Sequence, residues 1–416
     1  MLKKMWALKP ETIGKNSVFW NMMSSGLNSV VSMLLLWVVT RIVGVNDAGI
    51  FALAFSTSQM MLTIGNYGMR NYQATDIENK YSLAEYLGSR IVTSTVMILI
   101  VIAFVYLEGY YWEKLLVTVL LCVLKVTDAF DDVYGGHYQR IGRLDIAGKI
   151  MSIRIITYII GFCIILITTH NLIASCVVAI VLSIAVLSIL VFSTRKVILL
   201  QMPNFGKHSI MGLLKECFPL CISAFLLIYL GNAPKYAIDA YMSSEAQAYY
   251  TYLFMPCFVI NLFVGFALQP LLVKLSHTWI HKEYRVFLKL CGLIFASALI
   301  ISAVIVVAGR ALGCPILSIV FGVDLVAYKD VLTILLIGGG FFSFAVIAQI
   351  ILTVMRRQFS LLIGFGITSV FEFFIAGPLV KSQGLKGAGF AYTVTAGLLF
   401  ISLIIMILIF YCKREK

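Results

Sequence analysis

Charge is scarce in this chain. Only 12% of its 416 residues are Asp, Glu, Lys or Arg, and 19 of those are acidic, whereas about a quarter of a soluble domain is charged. Other absences narrow the function further. No G-x-x-x-x-G-K-[ST] loop is present, so the chain carries no nucleotide-hydrolysing motif of its own. No HExxH or CxxC pairing occurs, and the 9 Cys are scattered through apolar runs as packing residues, implying neither a metal centre nor a disulfide framework. No cofactor is expected. No stretch between apolar runs exceeds about 20 residues, which leaves no room for a catalytic domain and disfavours an enzyme. Proline is nearly missing from the first half: Pro10 stands alone there, while Pro219, Pro234, Pro256, Pro270, Pro315 and Pro378 follow Pro203 in the second half, where kinked helices are expected.

What fills the chain instead is hydrocarbon. Apolar residues reach 61% and form runs of the roughly 20 residues that cross a bilayer, apolar on all faces and without the alternation of a membrane barrel. The expectation is an all-α polytopic membrane protein of twelve spans, near 17–43, 48–69, 86–107, 114–134, 148–168, 172–194, 213–233, 247–273, 286–309, 329–355, 359–380 and 387–411. The first, behind the basic MLKKMWALKPETIGKNS, is too long for a signal-peptide core and reads as a retained helix.

A basic linker, 196–215, divides the chain into six-helix lobes at 1–195 and 216–416. An even number of spans per lobe implies a parallel pseudo-repeat around a central cavity. Asn46-Asp47-Ala48 and Ser244-Glu245-Ala246 open the second and eighth spans alike. The net charge of +13 is spread in short clusters and does not suggest nucleic acid. Most of the 32 Lys and Arg fall in loops on one side, from Lys3, Lys4 and Lys9 through Arg70, Arg90, Arg140, Lys149 and Lys196 to Lys413, Arg414 and Lys416. That bias implies cytoplasmic N- and C-termini.

Charges inside spans raise functional hypotheses because hydrocarbon penalises them. Lys125, Asp128 and Asp132 share one helix face by their spacing, with Asp131 to one side. Arg154 enters the next span at about the depth of Asp128, so the two form either a structural pair or part of a site. Lys125 is left unexplained by such a pair. At the outer end of the seventh span Lys235 and Asp239 are four apart, either a site or a solvated pair, and Arg41 ends the first span on the same side. Glu372 stands alone in the eleventh span, either an ion-coupling group or a protonated packing residue.

The runs GNYGMRNYQATD at 65–76, GHYQRIGRLDIAGK at 136–149 and PKYAIDAY at 234–241, within twelve spans, resemble the Wzx-type polysaccharide repeat-unit flippases of the multidrug/oligosaccharidyl-lipid/polysaccharide exporter superfamily. The resemblance implies a carrier in the bacterial plasma membrane. Its cargo would be a polyprenyl-diphosphate oligosaccharide moved from the inner to the outer leaflet by alternating access, for O-antigen, capsule or teichoic acid assembly. Implied partners are membrane lipids, a polysaccharide polymerase, chain-length proteins and a coupling ion, Na or H. Lys125, Arg154, Arg70, Arg41 and Lys235 are candidates for the diphosphate and acidic sugars. Asn66, Tyr67, Asn71, Tyr72, Asn232 and Tyr236 are candidates for sugar contacts, and Asp128, Asp132, Asp239 and Glu372 for ion coupling or structural pairing. A drug or small-solute antiporter of the same superfamily and a membrane polymerase are the alternatives.

Overall fold

The computed structural model describes Trp6 and residues 10–76, 80–195 and 197–412. The terminal and linker cations Lys3, Lys4, Lys9, Lys196, Lys413, Arg414 and Lys416 lie outside them. Among the described residues there is no β-strand. The helices are α1 Pro10–Ile42, α2 Val45–Asn66, α3 Met69–Thr75, α4 Leu83–Leu107, α5 Trp112–Arg140, α6 Leu144–Thr169, α7 Leu172–Ser193, α8 Lys207–Tyr241, α9 Ser244–Ile280, α10 Tyr284–Ala308, α11 Cys314–Phe321, α12 Lys329–Val354 and α13 Gln358–Cys412. In hydrocarbon a backbone must satisfy its polar groups within the segment, which leaves helix as the solution for these runs.

Helix starts follow local chemistry. Ser82 and Glu85 form a reciprocal capping box at the head of α4. Asn171 Oδ1 accepts from the Ala174 amide at 2.9 Å and Ser243 Oγ from Ala246 at 3.2 Å, opening α7 and α9. The two sequence stretches that suggested a repeat, at Asn46 and Ser244, both sit in first turns, of α2 and α9.

Among the described residues, ten segments are long and apolar enough to cross a membrane. The charged α5 fails that composition test, and α13 passes as a single segment although it holds two spans. At 55 residues a straight α13 would run about 80 Å, far beyond the roughly 30 Å of hydrocarbon. Gly384 breaks it with φ 59° and ψ −134°. Gly387 then lies so close to the first arm that a Cβ there would sit 1.9 Å from the Leu379 carbonyl oxygen. Counting α5 and both arms of α13 gives twelve spanning helices, as expected.

The chain forms two compact units, Met1–Phe225 and Leu226–Lys416, whose boundary falls inside α8. The expected linker 196–215 is shorter in the structure, because α8 already begins at Lys207. Its first turns bury Leu213 and Cys217 beside Met69, Tyr86 and Val133, and that apolar face is what extends the helix. The linker ahead of it is strapped to α4: the Asn204 amide donates to the Ala84 carbonyl at 2.8 Å, and Gln201 Oε1 accepts from the Ala84 amide at 2.9 Å.

In the second unit Gly338, Gly339 and Gly340 of α12 face Tyr392 and Thr393, Cys257, and Ser302. Small residues there let α12 approach three neighbours at once. Tyr252 stacks on Phe321 with centroids 4.1 Å apart. The proline-rich half does show an irregular ladder: Gly309–Gly313 is a π-helical turn immediately ahead of Pro315. All nine cysteines are free, and only Cys412 is exposed. Replacing Gly387 by Val is expected to unfold the α13 hairpin, at a cost above the roughly 1–3 kcal/mol of an overpacked site. Size-exclusion profiles of the solubilised variant check it, and a wild-type profile would contradict the close approach.

Candidate functional site

Three carboxylates project from one helix, α5, and four helices bring cations to them. Lys125 Nζ donates to Asp128 Oδ2 at 2.8 Å and lies 4.8 Å from the centre of the Phe55 ring. Arg154 on α6 reaches Asp128 Oδ1 at 2.7 Å through Nη1 and Asp131 Oδ2 at 2.9 Å through Nη2. Its Nε donates to Asp131 at 3.0 Å, and Nη1 also meets Thr127 Oγ1 at 3.1 Å and Ser183 Oγ at 3.0 Å. Asp132 takes Arg90 Nη2 of α4 at 3.0 Å and Arg70 Nη1 of α3 at 3.5 Å. Arg90 further donates to the Gly65 carbonyl and, at 3.3 Å, to Asn66 Oδ1. Asp131 lies within electrostatic reach of Arg70 as well, so the two groups form one network.

Donor counting separates the cations. A guanidinium offers five N–H groups, and every nitrogen of Arg154 has a partner. It is a structural pin. Lys125 uses one acceptor for three N–H groups among the described residues. Arg90 keeps an unpartnered Nε although it is fully buried. Arg70, with a side chain 33% exposed, makes one long hydrogen bond, to Asp132, among the described residues. Four cations face three carboxylates, and the three with spare donors are Lys125, Arg90 and Arg70.

Sequence reasoning brought Lys125, Asp128 and Arg154 together, and the structure does the same. It set Asp131 aside, whereas Asp131 takes two bonds from Arg154. It also left Arg90 among loop charges. Arg90 lies within the span expected at 86–107 and is 0% exposed inside α4, a helix that the capping box starts at Leu83. Ser82-x-x-Glu85 was the signal for that start. Lys149 is likewise no loop residue; it is buried on α6, 3.7 Å from Asp145. Tyr67 and Gly68, both with positive φ (52° and 67°), turn the chain from α2 into α3 and set Arg70 beside α5.

Beside the network, Lys80 Nζ bonds Glu216 Oε1 of α8 at 2.6 Å. That bond holds the Lys80 ammonium above its usual range, and Glu216 also pushes the Tyr72 hydroxyl up to about 12. A raised lysine stabilises the latch at all pH values below its free range and releases it only in strong alkali. Asp76 accepts from the Lys80 and Tyr81 amides at 2.9 and 3.1 Å and from Tyr86 Oη at 3.3 Å. Asn71 is exposed, and Arg41 sits in the exposed last turn of α1.

In the second unit Lys235, 5% exposed, donates to Asn232 Oδ1 at 3.0 Å and lies 5.4 Å from the Phe254 ring centre. Tyr236 and Asp239 are half-buried on the same helix. Glu372 is fully buried, and neither carboxyl oxygen has a hydrogen-bond partner among the described residues. Tyr229, Tyr250 and Tyr392 lie within its electrostatic reach. No cluster of three metal-ligating side chains occurs among the described residues. Breaking one arm of the Arg154 pin by Asp131→Ala is expected to cost about 3–5 kcal/mol, the range for a broken buried pair. Asp131→Asn, which keeps an acceptor, should cost less. Thermal unfolding of the detergent-solubilised variants tests the order, and equal midpoints would remove the pin.

Comparison with known proteins gives a consistent picture. The family described as "Polysaccharide biosynthesis protein" matches residues 14–276. No curated protein matches. Among solved structures, the lipid II flippase MurJ in an inward closed conformation is similar over 94% of this chain and 87% of its own, with TM-score 0.74 and 14% identity. An inward-facing multidrug resistance MATE transporter of the MOP superfamily is similar over 99% and 98%, with TM-score 0.63 and 14% identity. A Vibrio cholerae MATE transporter is similar over 95% and 96%, with TM-score 0.59 and 14% identity. At such identities the likeness concerns the fold, which this chain shares with these transporters. By the match over more than half its length, it belongs to the polysaccharide biosynthesis protein family.

Proposed function

We propose that this protein is a flippase for a polyprenyl-diphosphate-linked oligosaccharide repeat unit. It moves that unit from the inner to the outer leaflet of a bacterial plasma membrane for O-antigen, capsule or teichoic-acid-type assembly. The observation that carries this reading is the surplus of cations, four against three carboxylates, with unused donors on Lys125, Arg90 and Arg70. A diphosphate cannot enter hydrocarbon unaided, and it needs charge-assisted donors along its path. Family membership supplies the polysaccharide context, and MurJ, described as a lipid II flippase, shares the fold. Asn66, Tyr67, Asn71 and Tyr72 stand beside Arg70 in the chain as sugar contacts. Lys235, Asn232 and Tyr236 serve the second unit, and Arg41 the outer end.

The two units, Met1–Phe225 and Leu226–Lys416, rock to alternate access, with both termini cytoplasmic. A polymerase and chain-length proteins take the product. Glu372 is the coupling group, since an unpartnered carboxyl at that depth is a ready site for a proton or Na. MATE transporters share the fold over almost the whole chain, which keeps small-solute antiport as the second reading. A cationic drug, however, would meet a net positive interior.

Lys125→Ala is expected to reduce surface polysaccharide at least tenfold while the protein remains inserted; normal export by this variant removes Lys125 from the path. Glu372→Gln should make flipping in proteoliposomes insensitive to an imposed ion gradient. Wild-type flipping that ignores both proton and Na gradients would exclude the coupling role.

A further inference from the structure

One cavity of the first unit lies outside the charged interior. It is a groove of about 690 Å³ between α4, α5 and α7, walled by Ile98, Val123, Val126, Phe130, Ile184 and Phe192. The neighbouring surface is itself apolar and exposed, with Leu99 61%, Ile189 58% and Phe192 57% accessible. An occupant therefore arrives from the membrane side and not from water.

The groove has polarity along its length. From Val123 to Tyr134 it follows α5 for about 16 Å. Its apolar end is formed by Ile98, Val123 and Ile184. At the other end stand the Tyr134 hydroxyl, which has no hydrogen-bond partner among the described residues, and Phe192. The Arg195 guanidinium lies 4.6 Å from the centre of the Phe192 ring, and it forms no ion pair among the described residues. A donor and a free cation at one end with aliphatic walls beyond them complement a phosphate carrying a hydrocarbon chain.

We propose that this groove holds the polyprenyl chain of the lipid-linked substrate as it enters, with its phosphate first at Arg195 and Tyr134, before the diphosphate reaches the spare donors of Lys125, Arg90 and Arg70. The inference rests on the flippase reading above. Volume selects the occupant: at roughly 30 Å³ per carbon-sized group the groove accepts on the order of twenty chain carbons, suited to part of one chain and too small for the paired acyl chains of a phospholipid. Position adds a reason. Thr127 lines the groove and also accepts from Arg154, so the bound chain lies against the back of the charged network.

The test uses the full-length protein in phosphatidylethanolamine nanodiscs, titrated with polyprenyl phosphate and followed by native mass spectrometry. Wild type should retain one polyprenyl phosphate, and phosphatidic acid should compete at least tenfold less well. Val126→Trp and Ile184→Trp fill the groove from opposite helices and should each weaken binding at least tenfold. Ile184 is 49% exposed, so its replacement leaves the core intact should Val126→Trp fail to fold. Arg195→Gln should weaken binding about fivefold. Unchanged binding by Ile184→Trp, or equal competition by phosphatidic acid, overturns the groove assignment. If that happens while Lys125→Ala still loses export, the groove alone is wrong. If cells lacking the protein export polymer normally, the flippase reading fails and takes the groove with it.

Discussion

Three carboxylates on one turn and a half of α5 have to be neutralised inside a membrane-spanning unit, and much of the first unit is arranged to do it. An ion in hydrocarbon is tolerated only when paired or wetted. Asp128, Asp131 and Asp132 accordingly draw Lys125 from their own helix, Arg154 from α6, Arg90 from α4 and Arg70 from α3. The same bonds dictate where these helices stand. Arg90 continues past Asp132 to the last turn of α2 through Gly65 and Asn66, and Arg154 continues to Ser183 on α7. One polar network thus cross-links α2 through α7.

The second unit is built differently. Its helices meet through glycine, aromatic and thiol contacts, with Gly339 against Cys257, Phe254 against Tyr392 and Cys257 donating to the Leu335 carbonyl. Its buried charges are few, and Glu372 is accompanied by other unsatisfied polar groups, among them Tyr250 Oη, Gln247 and Thr395. Glu372 and the tyrosines within its reach are among the titratable groups of this largely apolar unit. A unit with surplus guanidinium and ammonium donors suits phosphate.

Much of this was legible in the sequence because the membrane restricts the solutions so strongly. Run length alone marks the spans, and i, i+3 and i, i+4 spacing puts Lys125, Asp128 and Asp132 on one face. Arg154 was legible as a partner because a short loop makes α5 and α6 antiparallel neighbours. The role of Asp131 was hidden, since the rotation of α6 about its axis depends on packing against α1 and α7 that no local pattern encodes. Arg90 was counted with the loop charges although it falls inside the span expected at 86–107, because its partner Asp132 stands on another helix and no spacing within its own helix reveals it. Spacing set Lys235 beside Asp239, and the structure adds a bond from Lys235 to Asn232, one turn back along the helix. The groove was invisible, because its wall is ordinary apolar sequence from three helices and only their separation creates it.

The central claim is that a surplus of cations in a lipid-embedded unit serves an anionic, lipid-linked sugar. Its most direct test is the leaflet in which lipid-linked repeat units reside when the protein is depleted, read by accessibility to a membrane-impermeant sugar-oxidising or lectin probe in intact cells and in inverted vesicles. The account predicts accumulation of shielded repeat units that become accessible only on inverting the membrane. Repeat units that remain accessible from outside in depleted cells would contradict it.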